Sequence, residues 1–414
     1  MKKACSLGSY ENLSCIGHGL HNLVTVDGIK NTKSISELLK KVRNMVKALR
    51  YRTDEFEKLS KDQALVAKEI SDLSETLYNA SNGDEEEDDM FEFEEAASKP
   101  IGGTTISLKL DVKTRWHSAL IMLKSILSQQ KNVLTLMLLK IDRADLVLTN
   151  NELQLLKELV DFLGNFQRIT SILSGDQYAT LNFYVVFRSE VYSLLEVEPR
   201  DSLDMKTLKE NMFRQFDHRF PLSDMTVLAS VLDPRFQNLL DVKKYLQRRN
   251  VTMVEFLVKC SRDIIGNSCV STIPIAVTID RNQLNPQKKS YVDELAEKHS
   301  TLASISKSIS SSSETEIERE CHSLLSIGSK FKIDSVLSFW RDHAKIMPIL
   351  SEVAKQIYCA PVTSTPSERN FSTAGSIVDN KKTQITPDKL DKVLFLHKNY
   401  DFVKEQALKV ILDE

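Results

Sequence analysis

Three short segments of this 414-residue chain carry residue types that could do chemistry. The first is Pro361-Val362-Thr363-Ser364-Thr365-Pro366-Ser367-Glu368-Arg369-Asn370-Phe371-Ser372, in which a single carboxylate, Glu368, stands just inside a helix start. Thr365 can cap that helix, Pro366 suits its first turn, and Glu368 follows the cap by three positions, where it could reach back to the Thr365 amide. A carboxylate on such an element is also what a nucleic-acid enzyme uses to hold a divalent metal ion. The residues alone leave both roles open. The second segment, Cys15-Ile16-Gly17-His18, has the spacing of half a zinc site, but no second Cys-x-x-Cys or His-x-x-x-His pair follows nearby to complete four ligands. The third, Asp111-Val112-Lys113-Thr114-Arg115-Trp116-His117-Ser118, pairs a planar cation with an indole, a combination suited to a phosphate and an unstacked base. Trp116 could equally anchor a helix in a core while Arg115 pairs with a carboxylate.

The elements that must position these groups read as mostly helical. Apolar residues recur at helical spacing from Glu37 to Arg50, and Lys40, Lys41, Arg43, Lys47 and Arg50 fill the other face as a solvated or a phosphate-facing surface. Residues 13–30 before it read as a short β-like or buried run. From Asp111 to about Lys259 the period is helical, with Leu120, Leu123, Ile126 and Leu127 in one stretch and Leu153, Leu155, Leu156, Leu159, Val160 and Leu163 in another. Leu228-Ala229-Ser230-Val231-Leu232-Asp233-Pro234-Arg235-Phe236 predicts a turn, because Pro234 forces its predecessor out of helical geometry and Asp233 can cap the residues after it. Order returns from 327 to 357 with Phe331, Ile333, Val336, Leu337, Phe339 and Trp340. A last helix start, Thr386-Pro387-Asp388, leads into the stripe Leu390, Val393, Leu394 and Leu396.

Composition bounds the rest. Residues 84–95 hold nine Asp or Glu and no Lys or Arg, so the segment 81–98 is expected to be a flexible loop. With those nine set aside, 55 basic residues face 48 acidic ones, a balance of +7 that permits nucleic-acid contact without demanding it. Pro274, Pro286 and the run Ser308-Ile309-Ser310-Ser311-Ser312-Ser313 mark 265–318 as a flexible connection. No apolar run approaches the roughly 20 residues of a membrane span, and the first residues lack the apolar core of a secretory signal, so no membrane partner and a soluble intracellular protein are expected. The six scattered cysteines (5, 15, 260, 269, 321 and 359) fit a reducing compartment.

Four of these landmarks resemble segments of the hAT-superfamily transposases, in the same order along the chain: Cys15-Ile16-Gly17-His18, Arg115-Trp116, Leu232-Asp233-Pro234-Arg235-Phe236, and the block from Pro361 through Lys389-Leu390-Asp391-Lys392-Val393-Leu394-Phe395-Leu396-His397-Lys398-Asn399. The resemblance covers residues 15–399 and is nearest to the branch that carries a BED-type zinc finger and is domesticated in animals. It implies an incomplete RNase H-like domain interrupted by a large helical insertion: mostly α with a partial α/β core. Residues 1–35 would be a remnant of that core, 36–264 the insertion, and 327–414 the C-terminal dimerisation region that completes it.

By the same resemblance Glu368 matches the third acidic residue of an Asp-Asp-Glu set holding two divalent metals. The first two would lie before Met1, as would the zinc finger, so the chain is expected to be truncated, to hold no metal or other cofactor, and not to be an enzyme. Arg115, Trp116 and Arg369 become candidates for nucleic-acid contact, and Trp340, Phe371, Leu390, Val393, Leu394 and Leu396 for dimerisation. The implied function is a self-associating, nuclear, non-catalytic regulator with DNA as a further partner. A fragment of an active transposase and a helical scaffold that never meets nucleic acid are the alternatives.

Overall fold

The computed structural model describes residues 14–52, parts of 54–61, and residues 108–111, 116–129, 131–266, 290–300, 315–327, 335–378, 385–400 and 402–404. Their helices are α1 (Ile16–Asn22), α2 (Lys33–Leu49), α3 (Trp116–Leu127), α4 (Lys131–Lys140), α5 (Asn150–Leu173), α6 (Tyr184–Leu194), α7 (Leu203–Arg219), α8 (Asp224–Val231), α9 (Leu240–Arg249), α10 (Met253–Ile265), α11 (Tyr291–His299), α12 (Glu316–Ile327), α13 (Val336–His343), α14 (Pro348–Tyr358), α15 (Thr365–Ile377) and α16 (Pro387–Lys398). A π-helical stretch, Leu23–Ile29, follows α1 directly. Among the described residues there is no strand, only the isolated antiparallel bridge between Leu239 and Ser300. The chain is therefore mostly α, and the α/β part of the expected core has no counterpart among these residues. None of their helices is long and apolar enough to cross a membrane.

Of the two readings of 13–30, β-like or buried, the described residues 14–30 show the buried one, in helical rather than β-like form. Ile16, Leu20, Leu23 and Val24 are buried at helical spacing. The Lys30 amide returns to the Thr25 carbonyl at 3.0 Å, five residues back, and the Thr25 hydroxyl donates to the His21 carbonyl at 2.6 Å. Gly28 belongs to this stretch because a side chain would not fit: a Cβ there would lie 2.8 Å from Met212 Cγ.

The chain divides into two compact units, one comprising Met1–Leu20, Arg168–Leu194 and Phe216–Glu414, the other His21–Gln167 and Leu195–Gln215. The second unit is organised on α2, whose Ile35, Leu38, Leu39, Val42, Met45, Val46 and Leu49 are buried. This apolar stripe packs on α3 and α4. Part of its basic face is spent within the unit, since Lys41 Nζ lies 2.8 Å from Glu152 and Arg43 Nε 2.7 Å from Asp111.

In the first unit the Leu-Asp-Pro-Arg-Phe turn sits at the centre. Asp233 is fully buried; its carboxylate accepts from Arg235 Nε at 3.0 Å, Arg235 Nη2 at 2.8 Å, the Arg235 amide at 3.1 Å and Asn182 Nδ2 at 2.8 Å. The carbonyls at the end of α8 are satisfied from other helices: Trp340 Nε1 of α13 donates to Leu232 at 3.1 Å and Tyr358 Oη of α14 to Ala229 at 3.0 Å. The stretch expected to be a flexible connection contains α11, capped by Ser290 and Asp293, with Val292, Leu295 and Ala296 buried. It packs on α6, where Glu190 accepts from Lys298 at 2.7 Å and lies 2.8 Å from His299 Nε2. The remainder of that connection, 267–289 and 301–314, and the acidic segment 81–98 lie outside the described residues.

Glu320 ties α12 to α14. Its buried carboxylate accepts from the Ile349 amide at 3.2 Å and the Leu350 amide at 2.8 Å, capping the start of α14 from outside its own helix. Burial pushes this carboxyl up to about 6, against the opposing pull of the two amides. A folded-state value above the unfolded one means that stability from this group is fully present below pH ~4.5 and is lost as pH rises through about 6, a loss on the order of 2 kcal/mol. Urea unfolding followed across pH 4.5–7.5 should show that decline in wild type and a flatter profile in Glu320→Gln. Parallel profiles would rule out this assignment.

Candidate functional site

The first unit brings together two of the segments that could do chemistry, although 349 residues separate Cys15 from Ser364. The Ser364 amide donates to Cys15 Sγ at 3.1 Å, the Ser364 hydroxyl lies 3.4 Å from the same sulfur, and the Ile16 amide donates to the Val362 carbonyl at 3.1 Å. The Ser364 hydroxyl also donates to Glu368 Oε1 at 2.7 Å. Ser364, rather than Thr365, is thus the residue that precedes α15, and Glu368 reaches back to its hydroxyl instead of to the Thr365 amide. The difference is one position of register: Ser364 stands at the N-cap position but makes no capping bond, its hydroxyl being turned to Glu368 and its amide to Cys15 Sγ.

This arrangement sets the protonation of the Cys-x-x-His pair. Burial pushes the Cys15 thiol up, but hydrogen bonds from Ser364 and His18 outweigh it and hold the thiol below its usual 9.0. The hydrogen bond to Cys15 in turn raises the His18 imidazole above its usual 6.5, and Glu368 adds to the effect. Among the described residues no group of three or more His, Cys, Asp or Glu side chains is placed to hold a metal ion. Glu368 with a serine hydroxyl, a histidine and a thiol does not fit the donor set of a two-metal nuclease, which needs several carboxylates.

The segment before α15 is locked to the end of α5. The Thr363 hydroxyl donates to the Leu173 carbonyl at 3.4 Å, the Val362 amide donates to Thr180 Oγ1 at 3.1 Å, and Ser174 Oγ lies 3.4 Å from Thr365 Oγ1. Between these anchors stands Asp176, whose Oδ2 accepts from Lys398 Nζ at 2.7 Å and lies 3.8 Å from Arg369 Nη1. Asp176 carries no sequence signal of its own; only its tertiary pairing with Arg369 and Lys398 marks it.

The other candidates fall in different surroundings. Trp116 is buried in the second unit, its ring tilted against His117 at 5.4 Å between centroids, while Arg115 lies outside the described residues. Trp340 is buried in the first unit, where it makes the bond to Leu232. Phe371, Val393 and Leu396 are exposed, Leu390 and Leu394 half-buried, and neither α15 nor α16 contains a buried residue. Phe395, absent from the candidates drawn from the stripe, is 61% exposed beside them.

Residues 320–400 match the hAT family C-terminal dimerisation region. Over 287 residues, 67% of the chain, it is 24% identical to a Zea mays protein named as an AC transposase, of which it covers 35%. It is also 24% identical over 231 residues, 54% of the chain, to a Zea mays protein named as an AC9 transposase, of which it covers 27%. The chain spans about a third of the length of these curated relatives. The family match is thus confined to residues 320–400, while the similarity to the two proteins named as transposases extends over a longer part of the chain.

Cys15 is half-exposed and Cys260 and Cys321 are buried, with burial pushing both of the latter thiols up to about 12. Alkylation of the native protein by iodoacetamide, read by peptide mass mapping, should modify Cys15 with a rate midpoint below pH 9.0 and leave Cys260 and Cys321 intact. His18→Ala should move that midpoint upward. A Cys15 midpoint at or above the ordinary value would contradict the pairing.

Proposed function

We propose that this chain is a non-catalytic, transposase-derived protein that self-associates through α15 and α16 and acts in the nucleus, with DNA, as a regulator. The observation that carries the reading is the helix pair itself. Within a stretch matching a dimerisation region, it exposes Phe371 at 76%, Phe395 at 61% and Leu396 at 50% and buries no residue. Apolar side chains gathered on one helix pair lose water contact when a second copy covers them, which is the usual driving force for association. The balance of +7 outside the acidic segment, with Arg369 and Lys398 on the same pair, supports an approach to phosphate. The nuclear site of action is part of the same proposal and is supported only by the resemblance to transposases.

The non-catalytic part rests on Glu368. Its carboxylate is held by the Ser364 hydroxyl, and among the described residues no group of three or more His, Cys, Asp or Glu side chains is placed to hold a metal ion. The competing reading, a piece of an active transposase, is favoured by the naming of both relatives as transposases and by the third of their length that this chain spans. Hairpin-ended DNA incubated with the protein and Mg²⁺ or Mn²⁺ should remain uncut; cleavage that disappears in Glu368→Gln would establish the enzyme instead.

Self-association is read by analytical ultracentrifugation at micromolar concentration. Phe371→Asp and Phe395→Asp should each weaken the dimer at least tenfold, about 1.4 kcal/mol, with the thermal unfolding midpoint unchanged. Trp340→Ala should behave in the opposite sense, lowering stability by about 3–5 kcal/mol because it empties a core position. A strictly monomeric wild type ends this reading.

A further inference from the structure

The loop after α5 is built to present one carboxylate. Gly175 leaves room for the Tyr178 ring, whose Cζ would stand 2.3 Å from a Cβ at that position, and the Tyr178 hydroxyl donates to the Ile172 carbonyl at 2.6 Å. The Tyr178 ring also packs on Phe183 at 6.0 Å between centroids. With Thr363 and Thr180 binding the two flanks, the loop has little freedom, and Asp176 projects from it toward α15 and α16.

Each of these two helices answers with one cation: Arg369 from α15 and Lys398 from α16 converge on the same oxygen, Asp176 Oδ2. Both cations stay about half exposed, at 51% and 44%, whereas the carboxylate is 23% exposed. Two cations from separate elements meeting on a single anionic oxygen is the geometry with which proteins grip a phosphate oxygen, and here two positive charges face one carboxylate. Such partly exposed ion pairs contribute little to stability, so a denser anion can displace the carboxylate at low cost.

We propose that Arg369 and Lys398 form a phosphate site for a nucleic-acid backbone and that Asp176 is its intramolecular stand-in, occupying the site until the backbone takes its place. The proposal rests on the DNA-contact part of the function above and adds a device that weakens contact in the free protein. Because the site lies on the helix pair that carries the exposed apolar residues, occupation by a phosphate and self-association concern the same element.

The test is fluorescence anisotropy of a labelled 30-base-pair duplex with the full chain between 50 and 200 mM salt, comparing wild type, Asp176→Asn, Lys398→Gln, Arg369→Gln and Asp176→Asn/Lys398→Gln. Asp161→Asn, at an exposed position of the other unit, controls for the change in net charge. Asp176→Asn should bind at least about threefold tighter than Asp161→Asn, with a log K against log salt slope steeper by about one. Lys398→Gln and Arg369→Gln should each weaken binding, and the gain from Asp176→Asn should vanish in the double variant. Sedimentation of each protein confirms that the gain is not a change in oligomeric state; a gain that tracks oligomerisation overturns the proposal. Binding by wild type with Asp176→Asn no tighter than Asp161→Asn also overturns it while leaving DNA contact intact. Absence of binding by every protein at 50 mM salt sinks the DNA-contact reading and this proposal with it.

Discussion

The first unit depends on a charge that has been taken entirely out of water. Asp233 is fully buried, and Arg235, two residues on, wraps its carboxylate with two guanidinium bonds and its own amide, while Asn182 supplies a fourth donor. Removing one partner from such a pair typically costs 3–5 kcal/mol, since the other charge is left without compensation. The turn that makes this possible ends α8 and exposes its last carbonyls inward, where Trp340 and Tyr358 satisfy them. One short motif therefore fixes where α13 and α14 lie, and through α14 it fixes the segment leading to Ser364.

That chain of constraints explains why the stretch matching the dimerisation region has two characters. Its first part, α12 to α14, is a core: Cys321, Leu324, Phe339, Trp340, Leu350, Val353 and Ile357 are buried, and Glu320 holds two helices together. Its second part, α15 and α16, is surface: neither helix contains a buried residue, and Phe371, Phe395 and Leu396 are exposed. A region that associates needs both, because an exposed apolar pair must be carried on a base that does not itself yield. Trp340 belongs to the base, and Phe371, Phe395 and Leu396 to the face.

The junction at Ser364 joins the parts of the site. Its amide and hydroxyl are divided between Cys15 and Glu368, so the Cys-x-x-His pair and the carboxylate share one residue as their link. The thiol is held toward its charged form and the imidazole toward its own, a pairing produced by hydrogen bonds that overcome burial. Ser364 can serve both only because Thr363 and Val362 are anchored to the end of α5, which sets the direction of the backbone there.

Helical period, caps and turn residues are local properties, and the sequence by itself determined those: the amphipathic stripe of α2, the break at Pro234, the starts of α15 and α16, and the succession of helices from α3 to α10. Residues 16–24 carried the same period, yet their closeness to two glycines and a Cys-x-x-His obscured it. Which apolar residues face inward could not be read locally, because Trp340 and Phe371 look alike in sequence and differ only in whether another helix lies over them. The same holds for charge. Asp176, Lys398 and Glu320 have ordinary neighbours along the chain, and only the tertiary structure places two cations on the first and two helix-end amides on the last. Local sequence sets the backbone's preferred geometry, but burial and ion pairing arise between segments distant in sequence, so tertiary packing alone decided them.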